Sequence, residues 1–249
     1  MGENSVFEWP AGKRVAVSLS FDDARLSQVD VGLPLLKRHG VKATFYVSLP
    51  RLAERLAGWR EAVAAGHEIG NHSVRHSCSG NFLWKARNVL ENYTLETMEA
   101  ELLEANRQLA ETLGVTPRTF AYPCGQDYVG RGVTRRSYVP IVAQHFLAGR
   151  GFRDEYLNAP EFCDLAHVGG TELDGLDFSG LRRTLKRAEE NRQWVVFAGH
   201  EVRDSGQQTT RVDALAEFCA YCTDPANGVW IDTVATLAAY VKAHRREPA

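Results

Sequence analysis

The chain has 249 residues, 44% of them hydrophobic and 24% charged, with a formal net charge of −2 at pH 7. That near-neutral balance gives no electrostatic reason to bind nucleic acid or an anionic membrane, and no apolar stretch approaches the roughly twenty residues of a membrane-spanning helix. The length suits a one-domain α/β barrel over residues 1–249, with enough apolar residues for a large core.

The first segment, Met1 to Val6, has no basic start and no apolar run, so no secretory signal is visible. Its absence predicts a cytoplasmic protein, or a secreted or cell-envelope one if the chain is a mature or trimmed form. Five cysteines cannot all pair within one chain, which leans towards a reducing compartment.

Val15 to Phe21 reads as a buried strand that ends in Asp22-Asp23. Successive side chains of an extended chain point to opposite sides, so the two carboxylates can do different jobs. Asp30 to His39 follows as a helix, with Pro34 near its start and Gly40 after its end. Thr44 to Leu49 is a strand, and Trp59 to Ala65 a short helix closed by Gly66. His67 to Asn71 forms a short strand and turn that leads to His72 and His76. Four residues apart, these histidines share a face if the segment makes a helical turn.

Two carboxylates and two imidazoles suffice for a three-ligand metal site with one carboxylate to spare. Such a site performs hydrolysis with an activated water, the extra carboxylate taking the proton. Either feature alone has a plainer reading: Asp-Asp as a helix cap, the histidine pair as chance on a surface helix. Their joint occurrence, each after an apolar segment, favours the site.

Ser77 to Tyr93 is a polar and aromatic segment that follows the histidines and is placed to form part of a cleft. Thr94 to Leu113 is the clearest helix: Leu95, Met98, Leu102, Leu109 and Leu113 share a face, and Gly114 and Pro117 end it. Thr119 to Tyr122 is a strand, and residues 124–138 read as a long loop at its end. Trp194 to Ala198 is a strand that delivers His200. Thr210 to Cys222 and Thr233 to His244 are two late helices. On the first of these, Cys219 and Cys222 fall on the apolar face, so they read as core residues rather than a redox pair. Cys78 is read as no metal ligand, because a thiolate would close the water position. Trp84, Tyr128 and Tyr138 are candidates for stacking on a sugar, against the commoner fate of aromatics as core.

These segments resemble the polysaccharide deacetylases, the NodB-like carbohydrate esterases. Ser20-Phe21-Asp22-Asp23 matches the family's Thr-Phe-Asp-Asp, and His72 to His76 its His-Ser/Thr-x-x-His. Lys42 to Val47 matches the second strand, Ala121 to Gly125 the third motif, and Val195 to His200 the last. The resemblance implies a distorted (β/α) barrel of about seven parallel strands, with an open doubly wound sheet as the alternative. It implies a metal-dependent hydrolase that removes N- or O-linked acetyl groups from a polysaccharide or oligosaccharide. It assigns Asp22 as general base, Asp23, His72 and His76 as ligands of one divalent ion, and His200 as general acid. The backbone N–H of Cys124 would bind the oxyanion, and Asp177 would orient His200. Zinc is the expected metal, with cobalt, nickel or manganese able to use the same ligands. The expected partner is an acetylated carbohydrate.

Two positions depart from the pattern. Ala121 stands where the family carries an arginine on the base, and Arg25 is the nearest candidate to replace it. Cys124 stands where an aromatic residue is usual. Two other functions fit the same residues less well: a small-molecule amide or cyclic-amide hydrolase, and a non-catalytic carbohydrate-binding protein.

Overall fold

The computed structural model describes residues 7–10, 12–85 and 87–246. The signal-free reading of Met1 to Val6 lies outside the described residues. Eight strands form the main sheet: β1 (Val15–Asp22), β2 (Thr44–Val47), β3 (Glu68–Asn71), β4 (Thr119–Ala121), β5 (Ala148–Arg150), β6 (Gly170–Glu172), β7 (Trp194–Gly199) and β8 (Val229–Ile231). Seven run in the order β5-β4-β3-β2-β1-β7-β6, all parallel. A bridge between Arg150 and Val168, just before β6, draws the two edges together into a nearly closed barrel. The barrel is therefore the observed architecture, and the open doubly wound sheet is not. The eighth strand, β8, pairs with the first half of β1, while β2 pairs with its second half.

β1 and β7 lie side by side at the centre and are buried along their whole length. That explains why both read as continuous apolar runs without alternation: barrel strands are covered on both faces. Phe45 on β2 stacks on Phe21 with ring centroids 5.5 Å apart and meets Trp59 edge-on at 5.4 Å. These rings join the outer helices to the barrel near the end of β1 that carries Asp22. A second apolar cluster, with Met98, Leu102, Phe120, Tyr122 and Tyr138, lies beneath the helix Leu95–Leu113. Thr94 caps that helix by accepting from the Thr97 N–H, and Gly114 ends it at φ 71°.

Several predicted elements change in detail. The helix read as Asp30 to His39 is a π-helical turn, Gln28–Gly32, continuing into an α-helix, Leu33–Arg38. Residues 72–76 form a loop rather than a helical turn, with Ser73 at φ 60° and His76 at φ 48°. The sequence reading found no element at β5, β6, β8 or the helices Val139–His145 and Phe178–Glu190. Those three strands are each three residues long, too short to show a period. Cys219 and Cys222 are buried in the core, as their face predicted. Among the described residues no helix is long and apolar enough to cross a membrane.

Because Phe45 packs between Phe21 and Trp59 with no exposure, Phe45→Ala is expected to lower stability by about 3–5 kcal/mol. Urea unfolding followed by circular dichroism checks this, with a midpoint shift at constant slope as the expected signature.

Candidate active site

The C-terminal ends of the parallel strands converge on one cleft of about 620 Å³. Asp22 is the last residue of β1, and Asp23 follows it at φ 75° with its N–H donated to the Tyr46 carbonyl. The left-handed turn, not the alternation of an extended strand, separates the two carboxylates. Both still face the same imidazole: His72 Nε2 is 3.6 Å from Asp23 Oδ1 and 4.0 Å from Asp22 Oδ2. His76 Nε2 is 3.4 Å from Asp23 Oδ1.

The loop that carries the histidines is held by its own polar groups. Asn71 Oδ1 accepts from the Ser73 N–H at 2.7 Å, and Ser73 Oγ accepts from the His76 N–H at 3.0 Å. The bend therefore achieves what a helical turn was expected to do. His72 Nδ1 lies 2.9 Å from the Ala121 carbonyl. A carbonyl can only accept, so Nδ1 carries the proton and Nε2 is the ring nitrogen that faces Asp23. Ligand atoms of Asp23, His72 and His76 all lie within 4.8 Å of one another. Two imidazole nitrogens and a carboxylate oxygen at these separations suit a tetrahedral divalent ion with one open position. Burial, helped by neighbouring His72 and opposed by Asp23, lowers the His76 pKa to about 4, so its ring is neutral as a ligand must be. Burial works to raise Asp23, but His72, His76 and Arg25 outweigh it and hold the carboxyl at about 2.

Asp22 is 4% exposed, and its partner is Arg150, which is fully buried. The Arg150 guanidinium also donates to the Gly151 carbonyl at 2.9 Å and lies 5.0 Å from the Tyr46 ring. Burial alone would raise the Asp22 carboxyl; Arg150, His72 and His200 more than reverse this and hold it below the ordinary carboxylate value. Arg25, the replacement suggested by sequence proximity, does not do this. It pairs with Asp23 Oδ2 at 2.8 Å and approaches Glu201 at 3.9 Å. The true substitute stands one strand away, because Ala121 on β4 and Arg150 on β5 are register partners. The available signal was an arginine closing a run of small residues, Ala148-Gly149-Arg150.

His200 follows β7 and lines the same cleft. Its Nδ1 is 2.7 Å from Asp174 Oδ2, and its backbone N–H donates to Asp174 Oδ1 at 3.1 Å. Thr210 holds the same Oδ1 at 2.8 Å. Gly199 makes room for this cluster: a Cβ there would sit 2.4 Å from Thr210 Oγ1 and 3.0 Å from Asp174 Oδ1. Burial opposes charge on His200, but the bond to Asp174 and the charges of Asp22 and Asp174 prevail and raise its pKa. Asp177, expected to orient His200, instead caps the helix Phe178–Glu190 by accepting from the Gly180 N–H at 2.7 Å. The missed residue is three positions earlier, directly after the strand end, where barrel chemistry collects.

Cys124 lines the cleft at φ 56° and forms a disulfide with Cys78, Cα to Cα 6.3 Å. The bond runs against the lean towards a reducing compartment: two of the five cysteines are paired, and the bridge ties the histidine loop to the loop after β4. Gln28, also missed, is fully buried and donates from Nε2 to the carbonyls of Asp22 at 2.6 Å and His200 at 2.8 Å. Of the three aromatic candidates, Tyr138 is buried, Tyr128 is covered by Arg135, and Trp84 lines the cleft at 62% exposure.

A near-closed parallel barrel with a buried carboxylate, a His-His-Asp cluster and an Asp-backed histidine at one rim defines a NodB-like α/β barrel of the carbohydrate-esterase class. The sequence profile of the polysaccharide deacetylases matches residues 10–135, just over half the chain, and the chain belongs to that family. It is 30% identical over 131 residues to a peptidoglycan-N-acetylglucosamine deacetylase of Listeria monocytogenes, covering 52% of this chain and 25% of that protein. It is likewise 30% identical over 150 residues to a gellan lyase of a Bacillus species, covering 60% of this chain and 5% of that protein. The chain thus matches only a quarter or less of the length of these two curated relatives. A crystal structure described as a putative polysaccharide deacetylase from Mycobacterium smegmatis superposes with a TM-score of 0.70 at 19% identity, covering 98% of this chain and 97% of that one. That likeness concerns the fold.

The Asp174–His200 bond predicts that the His200 ring titrates above the ordinary 6.5, and that Asp174→Asn moves the titration to lower pH. The raised value means the ring keeps its proton at higher pH in the wild type than in the variant. NMR titration of the imidazole checks this, and identical curves in both proteins would contradict it.

Proposed function

We propose that this barrel is the catalytic domain of a metal-dependent hydrolase that removes acetyl groups from a glycan. One observation carries the reading: a buried carboxylate held ionised by Arg150 and a histidine held protonated by Asp174 line the same cleft as the three-residue donor cluster. Pairs of groups pushed in opposite directions by their surroundings are the mark of separate base and acid roles.

Asp23, His72 and His76 would hold the ion, with zinc the best match to two imidazoles and one carboxylate. Such an ion would supply polarisation of the acyl carbonyl and a water acidic enough to react near neutral pH. Asp22 takes the proton from that water; its second oxygen is free for this because Arg150 occupies the first. The Cys124 N–H stabilises the negative charge that develops on the carbonyl oxygen. His200, positioned by Asp174, gives its proton to the departing amine or alcohol. An amine needs that proton, since its anion is too basic to leave. Trp84, with its ring centroid 6.2 Å from that of His76, offers an apolar face to a sugar ring beside the cluster. The Cys78–Cys124 disulfide supports an oxidising location, where acetylated cell-surface glycans are found.

Acetate release from chitin oligomers, acetylxylan and peptidoglycan fragments tests the function. The expected result is release that a chelator abolishes and zinc or cobalt restores; bound metal with no acetate from any glycan would point instead to a small-molecule amide hydrolase. In His200→Ala, metal content should stay at the wild-type level while turnover falls by about 10²–10⁴-fold, the range for a lost general acid. Wild-type turnover in a metal-loaded variant would remove His200 from the mechanism.

A further inference from the structure

Among the described residues two acidic side chains, Asp22 and Asp23, line the cleft, and both are already compensated. Asp22 is matched by buried Arg150, and Asp23 by Arg25. Beyond these pairs the cleft carries two further guanidiniums, those of Arg51 and Arg153. A divalent ion on Asp23, His72 and His76 would add further positive charge. A neutral acetylated sugar gains nothing from such a field, whereas an anionic one is drawn into it and held.

Arg25, Arg51 and Arg153 are not equivalent. Arg25 is committed to Asp23. Arg153 pairs with Glu172 at 2.6 Å and is held at φ 60°, a conformation a non-glycine residue seldom takes without a constraint. Arg51 lies on the turn Leu49–Leu52 that follows β2, and among the described residues its side chain has no acidic partner. Beside it Ser48 precedes the turn without capping it through its side chain and lines the same cleft, so its hydroxyl is available as a second donor.

We propose that the cleft selects an acylated glycan that carries a carboxylate, and that Arg51, assisted by Ser48, is the residue that binds that carboxylate. This rests on the deacetylase reading and narrows its substrate. One unengaged guanidinium matches the two oxygens of a carboxylate in a planar, two-point contact. A phosphate monoester carries close to two negative charges and would be matched by a second free cation, but Arg25 and Arg153 are both in ion pairs, so the single charge of Arg51 fits a carboxylate better. Two common sources of a glycan carboxylate are a uronic acid ring and a lactyl ether. Arg51 reads the shared group.

Calorimetric binding to the zinc-loaded protein separates these cases. The probes are a hyaluronan tetrasaccharide (N-acetylglucosamine with glucuronate), an N-acetylglucosaminyl-N-acetylmuramic acid disaccharide with its lactyl carboxylate, and neutral chitotetraose. At least one acidic probe should bind about tenfold or more tightly than chitotetraose, the range for a hydrogen bond to a charged group. Which one binds identifies the source of the carboxylate. Arg51→Gln should remove that preference and leave chitotetraose binding, metal content and melting temperature unchanged. Arg51→Lys should restore only part of it, because an ammonium cannot reproduce the fork. Equal affinity for acidic and neutral probes, or an unchanged preference in Arg51→Gln, would overturn the proposal. Acetate assays on the same samples keep the two readings apart. Acetate from chitotetraose without acidic preference would leave the deacetylase reading standing and end this one. Arg51-dependent binding of an acidic probe with no acetate from any glycan would do the reverse.

Discussion

The ion pair between Asp22 and Arg150 is the constraint on which the site depends. A carboxylate with 4% exposure is not solvated by water and must be matched within the protein. The match is made from β5 across the barrel end, so the closed barrel is what brings the arginine to Asp22. Removing the arginine would leave a buried charge without a partner, while removing the aspartate would strand a fully buried guanidinium. The pair leaves one Asp22 oxygen facing His72, and the remainder of the site is arranged around that oxygen.

Irregular backbone then completes what regular strands begin. Asp23, Ser73, His76 and Cys124 all have positive φ, and all four are at the donor cluster or the loops beside it. None is glycine, so each position is maintained by its surroundings: the Asp23 N–H by Tyr46, the His76 N–H by Ser73, and Cys124 by its bond to Cys78. The disulfide fastens the histidine loop to the loop after β4, and Gln28 fastens the end of β1 to the end of β7. Two devices of different chemistry thus hold the four loops in register, one covalent and one a buried amide.

Charge is arranged in two layers. The inner layer is balanced, carboxylate against guanidinium and imidazole, which keeps Asp22 ionised and His200 protonated over the same range of pH. In the outer layer Arg153 is paired with Glu172, and Arg51 leaves one unmatched positive charge among the described residues. The inner layer serves the acyl group and the outer layer meets whatever the rest of the substrate carries, so reaction and selectivity are served by different residues of the same rim.

Much of this was legible without coordinates. Asp22, Asp23, His72, His76 and His200 each stand after an apolar strand, and local pattern is enough to mark such positions. The helix Leu95–Leu113 announced itself through its apolar face, its Thr94 cap and Gly114. The strand–helix alternation pointed to a parallel sheet, and the resemblance to the polysaccharide deacetylases implied its barrel form. Arg150, Asp174, Gln28 and the Cys78–Cys124 bond were not legible, and the reason is common to all four. Each acts on a residue 26 to 172 positions away in the chain, and in each case the contact is created by strand order and closure. Arg25 was the candidate nearest in sequence to Asp22, and the resemblance assigned Asp177 to His200, yet both lost to residues that the barrel places closer. By itself the sequence determined which side chains can do chemistry and at which strand ends they stand. Only the tertiary structure decided their partners, because charge compensation in a buried site is a matter of distance through space, and parallel register, not chain proximity, sets that distance.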